Sequence, residues 1–326
     1  MEKICWGIIG CGDVTEIKSG PAFNKIKDSS LAAVMRRDND KARQYAEKHN
    51  VPVYYNKAAD LIKDPNVNAI YIATPPSSHM EYAMAAIAAG KHVYLEKPMA
   101  LDYDSASAIV RAADQQKVKL SIAHYRRGQP IFKKIKQLLN EGAIGKVLLV
   151  TLQYYRKCLT AAELNIPGMS WRVDPSLSGG GLFHDIAPHQ IDLLYYFFGQ
   201  IQNASGHSFN QSQLYPADDL VTGNILFNSG TVFNGIWFFN AGENDEEDSF
   251  EITGTAGKIS FSVFQHERFD ITVQNALKTY NYDKIQHVQQ PMIEEVVRYF
   301  LGKAPNPCSG NDAAVTMKIM DSFTGR

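Results

Sequence analysis

The sequence predicts an α/β protein: an N-terminal doubly wound parallel sheet of the Rossmann type, then a C-terminal α+β domain with a large, mostly antiparallel sheet. Three observations carry this. The apolar run Ile4-Cys5-Trp6-Gly7-Ile8-Ile9 leads directly into the glycine turn Gly10-Cys11-Gly12. Apolar strand-like runs then alternate with helical patterns up to about residue 125, the signature of a parallel sheet covered by helices on both faces. Beyond it, strand-like runs follow one another mostly without helical crossovers, as in an antiparallel sheet. The chain has 326 residues, enough for two cores, and the boundary is placed between residues 125 and 126.

Composition excludes several classes. Basic and acidic side chains balance at 33 and 34, which gives no support to nucleic-acid or acidic-membrane binding. Cys5, Cys11, Cys158 and Cys308 form no C-x-x-C pair, so a reduced compartment fits better than a disulfide framework. No apolar stretch approaches a membrane span and no secretion-like leader precedes the first strand. A soluble, cytoplasmic chain is expected.

The opening run reads as a buried strand turning sharply into a helix. Gly10 permits the turn. Gly12, lacking a Cβ, lets a pyrophosphate approach the backbone N–H groups at the helix start, including those of Asp13 and Val14. Thr15 stands at the third position of G-x-G-x-x-G, so the fingerprint is incomplete, at the position that serves helix packing more than phosphate contact. Leu31 to Met35 is the second strand, and its carboxyl end is where an adenosine ribose is read. An NAD site places an acid there; here Arg36 and Arg37 stand instead, and a guanidinium matches a 2′-phosphate in charge and shape. The expected cofactor is therefore NADP, with Asp38 the residue that would allow NAD. A helix over Lys41–His49, a short strand Val53–Tyr55 and a strand 68–73 follow. The latter runs into Thr74-Pro75-Pro76-Ser77-Ser78-His79, whose prolines stiffen a loop at a carboxyl end. An alanine-rich helix (Met80 to Ala89) stops at Gly90, the strand His92–Leu95 delivers Glu96-Lys97-Pro98, and a helix (Ser105 to Gln116) and strand (Leu120 to Ala123) complete the alternation.

These features carry a resemblance. Gly-Ile-Ile-Gly-Cys-Gly at 7–12, Ala-Thr-Pro-Pro-Ser-Ser-His at 73–79 and Glu-Lys-Pro at 96–98 resemble the family of glucose–fructose oxidoreductase, inositol 2-dehydrogenase and MocA (Gfo/Idh/MocA), over essentially the whole chain. The resemblance implies an NAD(P)-dependent oxidoreductase acting on a sugar, cyclitol or polyol. It implies that Lys97 projects toward nicotinamide and substrate, that Glu96 and the Thr74-Pro75 backbone line the nicotinamide pocket, and that His79 lies nearby. Related sequences often have Asn-Arg-Arg where this chain has Tyr125-Arg126-Arg127, so Tyr125 departs from the pattern at a position, with Arg126, expected to touch substrate.

The second half opens with an amphipathic segment from Pro130 to Asn140 and a long strand, Lys146 to Arg156. Further strands are read at Ile201–Phe209, Leu220–Phe227, Thr231–Phe239, Phe250–Gly254 and Lys258–Val263, with hairpin turns at Asn228-Ser229-Gly230 and Gly254–Gly257. Glu243 to Asp248 reads as a solvated acidic loop without metal-ligand spacing. Helices at Met292–Leu301 and Ala313–Phe323 close the chain. The chemistry concentrates in Trp171-Arg172 and Gly179-Gly180-Gly181-Leu182-Phe183-His184-Asp185-Ile186-Ala187-Pro188-His189-Gln190-Ile191-Asp192. The glycines allow close backbone approach, and Pro188 suggests a helix's first turn. Asp185, His189 and Asp192, at i, i+4 and i+7, share a helix face. The pattern resembles the family's Gly-Gly-Gly, Asp-x-x-x-His-x-x-Asp element, which implies that Asp185 and His189 lie beside Lys97 across a domain cleft. Asp185 is also a good N-cap. His184, Asp185 and His189 are ligand types, but His184 and His189 diverge on a helix, and no metal is expected.

The leading expectation is hydride transfer at a carbinol carbon. His189, an imidazole titrating near neutrality, serves as acid/base, Lys97 stabilises charge on the same oxygen, Asp185 orients His189 or binds a hydroxyl, and Trp171 and Arg172 form part of a sugar platform. The alternatives are a regulator binding NADP without turnover, against which Lys97 and His189 argue, and a cofactor recycled in place for epimerisation or glycosidic cleavage. Apolar side chains on both faces of Thr231–Phe239 suggest a homodimer or homotetramer through the C-terminal sheet.

Overall fold

A computed structural model describes residues 2–265 and 267–326. Packing divides the chain into two compact units, Met1–Gln129 with Ile285–Ala314, and Pro130–Lys284 with Val315–Arg326. The first break falls close to the expected boundary, but residues 285–314, assigned from sequence to the second domain, pack with the first unit.

The first unit alternates as expected: β1 (Ile4–Ile9), α1 (Asp13–Ile17), β2 (Ser29–Met35), α2 (Asn39–His49), β3 (Val53–Tyr55), α3 (Ala58–Lys63), β4 (Ala69–Ile72), α4 (His79–Ala88), β5 (His92–Leu95), α5 (Tyr103–Gln116) and β6 (Leu120–Ile122). All its strand pairs are parallel, in the order β3-β2-β1-β4-β5-β6. Chain direction across the sheet therefore reverses at β1, which lies between β2 and β4, and a crevice for ligands opens at the carboxyl ends there. β4 is buried throughout, which is why it reads as an apolar run rather than an alternation. Trp6 anchors the core: its ring lies 4.8 Å from Phe23 and 5.5 Å from Phe300, and its indole N–H reaches Ser29 Oγ at 3.1 Å. Phe300 belongs to a helix of the returning segment, so burial of the indole, with bonds such as Lys119 Nζ to Phe300 O and Asn306 Nδ2 to Leu120 O, ties residues 285–314 into this unit.

The second unit contains α6 (Pro130–Asn140), β7 (Val147–Lys157), the short turns of helix α7 (Ala161–Leu164), α8 (Pro167–Ser170) and α9 (Pro175–Ser178), and α10 (Leu182–Phe198). Seven strands follow: β8 (Ile201–Phe209), β9 (Leu220–Phe227), β10 (Val232–Ala241), β11 (Glu247–Gly254), β12 (Gly257–Phe261), β13 (Arg268–Val273) and β14 (Ala276–Asn281). The sheet order is β14-β13-β12-β11-β7-β10-β9-β8, antiparallel except where β7 meets β10. α11 (Gln290–Phe300) carries Phe300, and α12 (Gly310–Thr324) contains the division between units.

The inner face of this sheet holds Phe233, Trp237 and Phe239, all buried. Trp237 packs edge-on to Phe183 at 5.1 Å and donates to Gln190 Oε1 at 2.7 Å, which fixes α10 to the sheet. A Cβ on Gly223 would stand 2.3 Å from the Phe323 ring, so this glycine is what lets α12 lie down on β9. The acidic segment is exposed from Glu243 to Glu247, as expected, and departs from that only at its end. Glu247 and Asp248 open β11, and Asp248 accepts from the backbone N–H groups of Val263 and Phe264 and from the Ser262 hydroxyl, tying the end of β12 in place.

Candidate functional site

In the first unit, β1 ends in a turn shaped by its neighbours. Gly10 has φ +93°, and a Cβ there would meet Thr74 Cγ2 at 2.6 Å and Ala73 O at 2.9 Å, so only glycine fits beside the end of β4. The Gly10 and Cys11 N–H groups both point at Met35 O, at 3.0 and 3.2 Å, locking the turn to the end of β2. Around Gly12 a Cβ would meet nothing within 4 Å. This open space lies at the start of α1, where Asp13 and Val14 sit in the first turn, whose N–H groups have no intrahelical acceptors. The cradle fits a pyrophosphate.

At the end of β2 the three candidate ribose readers separate. Arg36 folds back over the glycine turn, its Nη1 donating to Cys11 O at 3.2 Å, while Arg37 is exposed. Asp38 is the N-cap of α2: its Oδ1 accepts from Lys41 N at 3.1 Å, and its Oδ2 lies 3.7 Å from the Lys41 ammonium. Burial pushes the neighbouring Cys11 thiol up to about 11, so it is protonated at neutral pH.

The β4 and β5 ends are joined by a histidine. His79 is fully buried, with Nε2 2.8 Å from Thr74 O and Nδ1 2.9 Å from Pro98 O. A neutral imidazole can donate only one of these bonds. Burial, reinforced by the nearby Lys97 charge, nevertheless drives the ring down to about 4, outweighing the carbonyls that favour the cation. His79 thus acts as a strut between the two loops expected to meet the nicotinamide. Ser78 Oγ braces the same loop, 2.8 Å from Thr74 Oγ1 and 3.0 Å from Pro75 O. The Lys97–Pro98 peptide is cis.

Glu96 is buried. Its Oε1 accepts from Tyr71 Oη at 2.5 Å and Gln289 Nε2 at 2.7 Å, and its Oε2 from the Lys97 N–H at 3.2 Å. The sequence reading missed Tyr71 and Gln289: Tyr71 is one more apolar position of β4, and Gln289 lies 193 residues from Glu96. Tyr125 and Arg126 form a short 3-10 turn after β6 and are both buried, the guanidinium 5.4 Å from the centre of the Tyr125 ring.

In the second unit, Gly179, Gly180 and Gly181 all have positive φ, at +90°, +157° and +81°. A Cβ on Gly181 would meet Ala217 Cβ at 2.2 Å, and one on Gly180 would strike the His184 ring. Ser178 Oγ accepts from Gly181 N at 2.8 Å. α10 starts at Leu182 with Gly181 as N-cap, so Asp185 lies inside the first turn and is not the cap, and Pro188 sits in the helix interior, past the first turn expected for it. Asp185 Oδ2 accepts from Arg172 Nε at 2.9 Å, and the guanidinium lies 4.5 Å over the Trp171 ring. The structure therefore brings Trp171, Arg172 and Asp185 together. His189 is buried one turn on from Asp185, edge-on to Phe264 at 5.8 Å. Tyr154, which the sequence reading passed over as strand, packs on Phe264 at 5.3 Å, accepts from Arg156 Nε at 2.8 Å and feels the Asp185 charge; burial pushes its phenol up. His184 turns away against Phe183 and Gly180, and burial drives it down to about 3.

No described helix is long and apolar enough to cross a membrane. The model of an oxidoreductase family with an NAD-binding Rossmann fold matches residues 4–124, and that of the GFO/IDH/MocA C-terminal domain matches 132–260. Oxidoreductase P35 of Formosa agariphila is 46% identical over 328 residues, 99% of either chain. The 1,5-anhydro-D-fructose reductase of Ensifer adhaerens is 27% identical over 258 residues, 78% of this chain and 74% of that one. A solved structure of levoglucosan dehydrogenase in complex with NADH shares the fold, with a TM-score of 0.86 at 23% identity over 98% of this chain and 96% of that one. With both domain models matched in order on a six-stranded parallel sheet and an eight-stranded mixed one, the chain belongs to the Gfo/Idh/MocA family of oxidoreductases.

Proposed function

We propose that the protein is an NADP-preferring oxidoreductase acting at a carbinol or carbonyl carbon of a sugar, polyol or cyclitol. The observation that carries the reading is the carboxyl edge of the first sheet, where a glycine turn open at Gly12 and Lys97 are both presented at strand ends of one sheet. Gly10, Gly12, Asp13 and Val14 would hold the pyrophosphate, Arg36 flanked by Arg37 the 2′-phosphate, and the Thr74-Pro75 backbone and Lys97 the nicotinamide end. Asp38, used as a helix cap, is less available to a ribose hydroxyl, and this supports NADP over NAD. The names of relatives that act on 1,5-anhydro-D-fructose and scyllo-inositol support the substrate class.

NADP supplies the hydride chemistry when bound. Lys97 donates a hydrogen bond to the substrate oxygen and offsets its developing charge. His189 takes or returns that oxygen's proton. Arg172, held flat by Trp171, fixes Asp185, leaving its carboxylate to take a neighbouring hydroxyl, while Tyr125 and Arg126 contribute to the choice of substrate.

A coupled screen of sugars, polyols and keto-sugars, including 1,5-anhydro-D-fructose and scyllo-inositol, tests this by the absorbance of reduced nicotinamide. Lys97→Met and His189→Asn should each lower kcat by about 10²–10⁴-fold, with NADP still bound. Near-normal turnover in either variant refutes the assignment.

We also propose a homo-oligomer that pairs the outer face of the second sheet. That face carries two apolar rows set by strand register, Phe209–Leu220–Phe238–Tyr155 and Leu226–Val232–Leu149, with Phe209, Val232 and Leu149 exposed. Apolar rows on an uncovered sheet are the surface that a second copy buries.

A further inference from the structure

We propose that Gln289 and Tyr71 are positioning residues for Lys97, acting through Glu96, and that residues 287–289 form a strap tying this point to the cofactor-binding helix. The inference rests on the reading of Lys97 as catalytic.

The geometry is continuous within the first unit. His287 Nδ1 lies 2.6 Å from Ile17 O, and its Nε2 2.7 Å from the Lys25 ammonium. An ammonium can only donate, so the Nε2 facing it is the acceptor and the proton sits on Nδ1, directed at Ile17. Two residues on, Gln289 N donates to Lys18 O at 3.2 Å, and Gln129 Nε2 holds Val288 O at 3.2 Å between them. The strap thus grips the carboxyl end of α1, whose other end starts at the glycine turn. Its last side chain, Gln289, is 1% exposed and spends its amide N–H on Glu96 Oε1.

Glu96 transmits the grip. Tyr71 and Gln289 hold one carboxylate oxygen and the Lys97 N–H takes the other. Two donors from distant points on one oxygen leave the carboxylate no rotational freedom, and the main chain of Lys97 is fixed by the oxygen that remains. A side chain used in catalysis needs this kind of support, because small displacements of a reacting group cost large factors in rate.

Hydrogen-exchange mass spectrometry tests this directly. Pro98 has no N–H, so the Lys97 amide is the one exchanging backbone site between Glu96 and Met99. Gln289→Met keeps the bulk and removes the donor, and Tyr71→Phe removes the other donor without touching the strap. Each should speed exchange at Lys97 by about tenfold or more, as expected for losing a hydrogen bond to a charged group. Exchange in β2 should stay unchanged and NADPH affinity should stay within about twofold. In the turnover screen each should lower kcat by about tenfold at nearly constant KM, a split that a general loss of folding does not produce. If Gln289→Met fails to fold, Tyr71→Phe decides on the same criteria. Unchanged exchange at Lys97, or acceleration spread evenly through the unit, overturns the proposal. An active Lys97→Met enzyme would remove the catalytic reading and leave the exchange result standing; an inactive one beside unchanged exchange would remove the strap alone.

Discussion

Replacing Arg36 with Asp should invert the nucleotide preference, and the size of the effect follows from two contributions. The guanidinium makes a 3.2 Å contact with a neutral carbonyl, Cys11 O, worth about 0.5–1.5 kcal/mol. A 2′-phosphate would exchange it for a charge-assisted pair of about 1.5–3 kcal/mol, so the arginine contributes a net of about 1–2 kcal/mol to NADP. The new carboxylate adds repulsion of about 1 kcal/mol per phosphate charge at about 5 Å in water. With about 1.5–2 charges on the phosphate these amount to roughly 2–4 kcal/mol, or about 30–900-fold weaker NADP binding, while NAD, without the phosphate, should change by less than about threefold. Calorimetric titration of both nucleotides at one fixed ionic strength is the assay, since salt screens an exposed pair. Asp38→Ala is the control. It removes the cap of α2 and should cost about 0.5–2 kcal/mol of stability with the NADP-to-NAD ratio intact. A wild type that prefers NAD, or an Asp38→Ala protein that loses NAD selectively, would show that Asp38 reads the ribose and would refute the argument.

Other outcomes follow from the geometry. Gly10→Ala forces a methyl into Thr74 and Ala73 at a left-handed φ, which should cost about 2–4 kcal/mol and lower Tm by roughly 4–16 °C; an unchanged melting curve would contradict the close approach. His79 and His184 stay neutral in the fold down to about pH 4 and about pH 3, whereas unfolded imidazoles protonate below about 6.5. The unfolded chain therefore gains protons first as pH falls, and stability should drop between about pH 6.5 and 4, by about 3 kcal/mol from His79 alone. His184→Phe should flatten part of that slope in denaturation at pH 7, 5 and 4, and identical slopes would sink the assignment. Phe238→Asp, on the outer apolar row, should yield monomers in light scattering with NADP binding retained; an unaltered mass would place the interface elsewhere.

What the sequence disclosed tracks how each element is buried. β4 and β5 are covered on both faces, and their apolar runs announce them directly. β9 and β10 alternate because one face is buried and the other is not. β14 escaped notice because nearly all its side chains are exposed, so it carries no alternation to read. β13 alternates over only six residues, with Asp270 and Thr272 between its apolar positions. The start of α10 was misjudged for a different reason. Asp185 is the better cap by residue type, but three left-handed glycines begin the helix earlier, and Pro188 is accommodated in its interior. Pro188 was expected in the first turn because a proline has no N–H to give to the helix ladder.

Within the candidate site the same distinction separates what could be read from what could not. The proposed preference for Arg36 over Asp38 as ribose reader rests on a cap bond spanning three residues, from Asp38 to Lys41, and the Asp-x-x-Lys spacing was visible in the chain. The supports of Lys97 are different in kind. Tyr71 lies 25 residues from Glu96 and Gln289 lies 193, the latter in a segment returning from beyond the whole second unit. A motif such as Glu-Lys-Pro reports which groups are delivered to a strand end, because strand and turn are local. It cannot report what immobilises them, because a buried carboxylate takes its donors from whichever chain segments pack against it. The bonds that hold Lys97 in place are therefore set by the return of residues 285–314 to the first sheet, and the domain boundary and the support of the candidate catalytic lysine are two consequences of one packing event.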